Sequence, residues 1–155
     1  MNAPTPIKRP KRLWVAAILD ALIAILAMTL VAFLLTSSRV PAAVVPSAIG
    51  AISALIPAAF LLLYAALAVK GVPSARRGLL LIASVYFGSI VVQNAVLLWG
   101  PAETLIPSRK LLANVVRHSI SLGINWWALS SLKTRLFFEA QVLLSNKSPD
   151  STRES

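Results

Sequence analysis

The chain contains no cysteine, so disulfides, thiolate metal sites and thiol nucleophiles are excluded. Acids are almost as scarce: five aspartates and glutamates are scattered over 155 residues beside a single histidine. That leaves no H-E-x-x-H or comparable ligand spacing, so neither a metal nor a cofactor is expected. There is no G-x-S-x-G elbow, no Walker A loop, no dinucleotide fingerprint and no internal repeat. Ser121 and His118 form a serine–histidine pair, but it lacks an oxyanion hole, and the links between hydrophobic runs are too short to build a water-filled cleft. These absences point away from an enzyme.

What is abundant is apolar. Hydrophobic residues make up 57% of the chain and charged residues 13%, and the mean hydropathy is +0.79. A water-soluble fold of this size could not hide so much apolar surface. The formal charge is +10, which in a soluble protein would raise nucleic-acid binding. Here the basic residues lie between hydrophobic runs and no aromatic or glycine-rich nucleic-acid motif accompanies them, so no nucleic-acid partner is expected.

A helix needs about 20 mostly apolar residues to cross a hydrocarbon core of roughly 30 Å. Four stretches qualify: residues 13–35, 47–69, 78–99 and 109–130, the last being the most polar. They are separated by breaker residues: Ser37, Ser38 and Pro41; Gly71 and Pro73; Gly100, Pro101 and Pro107. The expected fold is an all-α membrane protein, four transmembrane helices in an up-down bundle with short loops. The start imitates a secretory signal, with Lys8, Arg9, Lys11 and Arg12 before an apolar run and Val40, Pro41 and Ala42 as a cleavage-like site. The run is 23 residues long, beyond the roughly 7 to 15 of a signal-peptide core, which favours a retained first span.

Orientation follows from the basic residues in the flanks. Lys8, Arg9, Lys11, Arg12, Lys70, Arg76, Arg77, Lys133 and Arg135 fall on one side, against Arg39, Arg109 and Lys110 on the other. This bias places both termini in the cytoplasm and the protein in the cell (inner) membrane. Residues 1–12 are then a basic cytoplasmic flank and 13–131 the membrane domain. Trp14, Trp99, Trp126 and Trp127 fall near span ends, where their amphipathic rings favour the headgroup level.

Beyond span four, Leu132, Leu136, Ala140, Leu143 and Leu144 recur at helical spacing within residues 132–144. Two readings stand: an amphipathic cytoplasmic helix on the membrane surface, or the frayed end of span four. Residues 145–155 are polar and read as a disordered tail. The Asn146 sequon there would never meet a glycosyltransferase from the inside.

Inside the spans, ionisable side chains are expensive and normally face protein. Asp20 shares a wheel face with Ala16, Ala24 and Ala27, opposite Val15, Ile18, Leu22, Ile25 and Phe33. Asn114, Arg117, His118, Ser121 and Asn125 form a polar stripe on span four. Span three adds Tyr86, Ser89 and Gln93, with Asn94 nearby; span two adds Ser53, Pro57 and Tyr64. These faces predict a bundle with a polar interior. From helical rise, Gln93, Asn114, Arg117 and His118 form an outer layer, and Asp20, Tyr64, Tyr86 and Asn125 an inner one. Whether Asp20 pairs with Arg117 depends on a vertical gap of about 8 Å. Asp20 is either a structural tie or a proton- or ion-coupling group, Arg117 either its partner or a snorkelling cation, and His118 a packing residue.

Four spans with an acid early in the first resemble small multidrug-resistance transporters, whose first helix carries a membrane-embedded glutamate. This chain has aspartate there, is longer, is strongly biased in orientation and carries an arginine in span four, so membership does not follow. The residues favour a non-enzymatic accessory or assembly subunit, partnered by the lipid bilayer and by its own copies or a larger membrane complex. The rival is a small proton- or ion-coupled transporter or channel using Asp20 with Arg117 or His118.

Overall fold

A computed structural model describes residues 8–39, 45–100 and 106–147, which form helices and short links with no strand among them. The helices are α1 (Lys11–Thr36), α2 (Ala48–Lys70), α3 (Ala75–Trp99), α4 (Ser108–Ser130) and α5 (Leu132–Lys147). The first four start and end within three residues of the stretches read from hydropathy. α1, α2 and α3 are long and apolar enough to cross a membrane. α4 matches them in length but not in apolarity, because Asn114, Arg117, His118, Ser119, Ser121 and Asn125 interrupt it. The cleavage-like site and residues 148–155 lie outside the described residues.

Helix ends are closed by local chemistry. The backbone N–H of Gly50 donates to Ser47 Oγ at 3.1 Å, capping the start of α2. Gly71 ends α2 at φ 83, and the N–H groups of Gly71 and Val72 donate to the carbonyls of Ala68 and Leu67, a Schellman closure that only glycine enters without strain. At the α4–α5 junction Ser131 is extended, and its Oγ and the Thr134 Oγ1 both donate to the Ala128 carbonyl, at 3.0 and 2.9 Å. Arg76 Nη1 donates to the neighbouring Leu129 carbonyl at 3.1 Å. Two of the last carbonyls of α4, those of Ala128 and Leu129, are thus satisfied from α3, the link and α5.

The first four helices pack in a closed ring, each against the next and α4 back against α1. Their shared core is rich in alanine: Ala17, Ala24, Ala58, Ala65, Ala68, Ala75 and Ala83, filled out by Leu13, Leu61, Leu79, Phe87 and Leu129. Small side chains let backbones approach until dispersion contacts hold them, the mode that operates where no hydrophobic effect drives helices together. Gly78 shows how close: a Cβ there would lie 2.0 Å from Cε1 of Tyr64 on α2.

The distribution of polarity is inside out. Asp20 and Asn125 are 0% exposed, whereas Leu26 is 70% and Ile49 81% exposed. Such an outer surface suits hydrocarbon, and with three span-like helices it makes the chain compatible with a membrane protein.

α5 follows α4 directly. It is a separate helix after a one-residue break, and it continues to Lys147, into what reads as a disordered tail. Its leucine stripe does not face the protein: Leu132, Leu136, Leu143 and Leu144 are exposed, while Thr134, Phe137 and Phe138 are buried. Phe137 packs under the α2–α3 turn, 3.3 Å from where a Cβ on Gly71 would sit. Two adjacent aromatics carry no helical periodicity, so a wheel built on leucine finds the exposed apolar side of α5 and not the face that docks on the bundle.

Candidate functional site

The polar residues singled out by sequence separate into several places. The innermost joins α1 to α4: Asn125 Nδ2 donates to Asp20 Oδ1 at 2.7 Å and to the Ser121 carbonyl, one turn earlier on α4, at 3.1 Å. Ser121 is buried beside them and its Oγ donates to the Arg117 carbonyl at 3.1 Å. Ala16 and Ala24, one turn to either side of Asp20, are fully buried, which brings the aspartate backbone close enough for a short asparagine to reach it. The partner of Asp20 is therefore Asn125, and the tie to Arg117 is not made. Arg117 lies eight residues before Asn125, about 12 Å along the axis, and is exposed on the outer face of α4.

Two oxygens at this tie have no hydrogen-bond partner, Asp20 Oδ2 and Asn125 Oδ1. Both are acceptors while the carboxyl is ionised, so they cannot satisfy each other unless a proton sits on the carboxyl. With that proton, acid and amide have matched donors and acceptors. The arrangement can hold a proton or act as a plain structural clasp. None of the cavities described below is lined by Asp20 or Asn125.

Nearer the start of α4, Asn114 Nδ2 donates to Asn94 Oδ1 at 3.3 Å, and Asn94 Nδ2 to the Ile90 carbonyl at 2.8 Å, joining α3 to α4. His118 stacks on Phe87 of α3, ring centroids 5.9 Å apart, and its Nδ1 has no partner. Gln93 and Tyr86 belong elsewhere: with Ser53, Pro57 and Ser89 they line a cavity of about 240 Å³ between α2 and α3. Pro57 has no N–H to offer the Ser53 carbonyl, which helps to make this groove polar. Tyr64 lies against Gly78. Where the predicted polar side chains bond across helices they do so in pairs, Asp20 with Asn125 between α1 and α4 and Asn94 with Asn114 between α3 and α4.

No protein-family model, curated protein or solved structure matches this chain. Its function has to be argued from its own geometry.

Sequence reasoning missed the basic groups at the opposite end. Arg76 reads as a topology charge but closes α4, and the guanidinium of Arg12 lies 4.3 Å over the Trp127 ring, a second α1–α4 contact. Trp126 Nε1 donates to Ser84 Oγ of α3 at 3.2 Å. Tryptophans near span ends were the available signal; which neighbour each ring meets depends on packing.

Proposed function

We propose that this chain is a non-enzymatic, multi-pass subunit of the cell membrane, crossing four times with both termini in the cytoplasm and acting through helix packing with its own copies or a larger membrane complex. The fourth crossing is α4, which needs the other helices to shelter its polar stripe. The observation that carries the reading is Arg117, exposed near the middle of α4. An arginine facing lipid at mid-span costs roughly 2.5 to 3.5 kcal/mol on insertion scales, which a partner helix carrying an acceptor relieves. Ala113, one turn earlier on the same side of α4, is exposed too and leaves room for close approach.

The test uses the absence of native cysteine. Single cysteines at Ala113 and Ile120, treated with a short bifunctional thiol reagent in native membranes, are expected to yield cross-linked adducts, and Arg117→Leu to abolish them. A cysteine at Leu26, on the lipid face of α1, should yield none. No adduct from either α4 position, with membrane complexes unaltered by Arg117→Leu, would sink the proposal and leave Arg117 as a snorkelling cation.

A second reading is favoured by the unpartnered Asp20 Oδ2: a small transporter in which Asp20 exchanges a proton. Asp20→Asn should then abolish proton-coupled flux in liposomes. Flux equal to the parent protein removes this reading.

A further inference from the structure

At the end of the bundle where α2 turns into α3, Pro73, Ser74, Arg76 and Arg77 face Arg135, Phe138 and Glu139 of α5 across a groove of about 410 Å³. Arg77 and Arg135 both act electrostatically on Arg76, and only Glu139 opposes them. Three guanidiniums gathered beside one acid repel each other, and of the three only Arg76 makes a side-chain hydrogen bond among the described residues, to the Leu129 carbonyl. The groove also opens at the start of α3, where Ser74 is exposed and makes no side-chain cap. Positive charge, helix polarity and volume there all favour an anion.

We propose that this groove binds a phosphate-bearing anion, with the headgroup of an anionic phospholipid as the source its position favours. α5 supplies the second half of the argument. Its buried face, Phe137 and Phe138, holds it across the bundle end, while Leu132, Leu136 and Leu143 are exposed along its other side. A helix pinned to protein on one face and apolar on the other belongs at the boundary between acyl chains and headgroups. Arg135 sits between those faces and reaches the groove. Basic pockets between helices on the cytoplasmic side suit phosphate headgroups, and Arg matches phosphate oxygens in a bidentate fork. The lipid as source rests on the proposed orientation; the anion site itself does not.

The experiment uses the purified full chain in a non-ionic detergent, titrated with phosphatidylglycerol or phosphatidylcholine of the same acyl chains and read by native mass spectrometry. Inorganic phosphate is added in a parallel arm. Phosphatidylglycerol is expected to bind more tightly than phosphatidylcholine. Arg77→Gln and Arg135→Gln, both exposed, should each weaken it about fivefold. Arg109→Gln, at the other end of the bundle, should leave it unchanged. Arg76 is left intact because it closes α4. Inorganic phosphate binding with the same arginine dependence, without lipid preference, supports the site and assigns it a soluble source. Equal retention of both lipids with no phosphate binding, or affinities unchanged in the Arg77→Gln/Arg135→Gln protein, overturns it. The readout needs neither a partner nor a known topology, so its failure is separable from failure of the packing role.

Discussion

Replacing Asn125 by leucine keeps the side-chain volume close to constant and removes the one donor that Asp20 has. Asp20 is fully buried and its second oxygen is already without a partner. Asn125→Leu therefore strands the whole carboxyl, at about 1 to 3 kcal/mol, or roughly a fivefold to hundredfold shift in the unfolding constant. The reverse change, Asp20→Leu, is milder, because Asn125 Nδ2 keeps its bond to the Ser121 carbonyl. Changing both removes the need for a partner, so the double variant should be more stable than Asn125→Leu alone. Interhelical pairs in membranes couple by about 0.6 kcal/mol on average and up to about 1.7, and this short, buried bond should lie toward the top of that range. Equilibrium unfolding in mixed micelles with increasing dodecyl sulfate measures each corner of the cycle. Fluorescence of Trp127, which Arg12 of α1 covers, reports separation of α1 from α4. Additive effects, or a double variant no more stable than Asn125→Leu, would refute the clasp.

Gly78→Ala forces Tyr64 to give way by well over 1 Å and should cost about 1 to 3 kcal/mol in the same unfolding assay. Tyr64→Ala should relieve most of that, and Gly88→Ala, where a Cβ meets nothing within 4 Å, should be neutral or slightly stabilising. Phe137→Ala should release α5, costing up to about 3 to 5 kcal/mol of local docking. Tryptic cleavage after Lys133 and Arg135 would then speed up, whereas Leu143→Ala, at an exposed position, should leave it unchanged; equal rates would mean that α5 is not docked through its aromatics. Reporter fusions after Val69 and at the C-terminus should read cytoplasmic and one near Glu103 external. A cytoplasmic reading at Glu103 would remove α4 from the membrane.

Hydropathy alone located α1, α2 and α3, since long apolar runs bounded by Pro, Gly and Ser leave a helix few other outcomes. It also placed Asp20 on the alanine face, which is a matter of wheel geometry and needs no coordinates. Which residue answers Asp20 was not legible. Asn125 and Arg117 share a stripe on α4, and charge favours the arginine. Tertiary structure decided for Asn125 because helix register sets depth, and Arg117 sits two turns too far out and faces outward. The same holds for α5. Its composition announced an amphipathic helix, but the choice of Phe137 and Phe138 over the leucines as its inner face depended on a glycine turn between α2 and α3 that leaves space for a ring. Periodicity in the sequence determines what each helix can bury, and only packing determines against what.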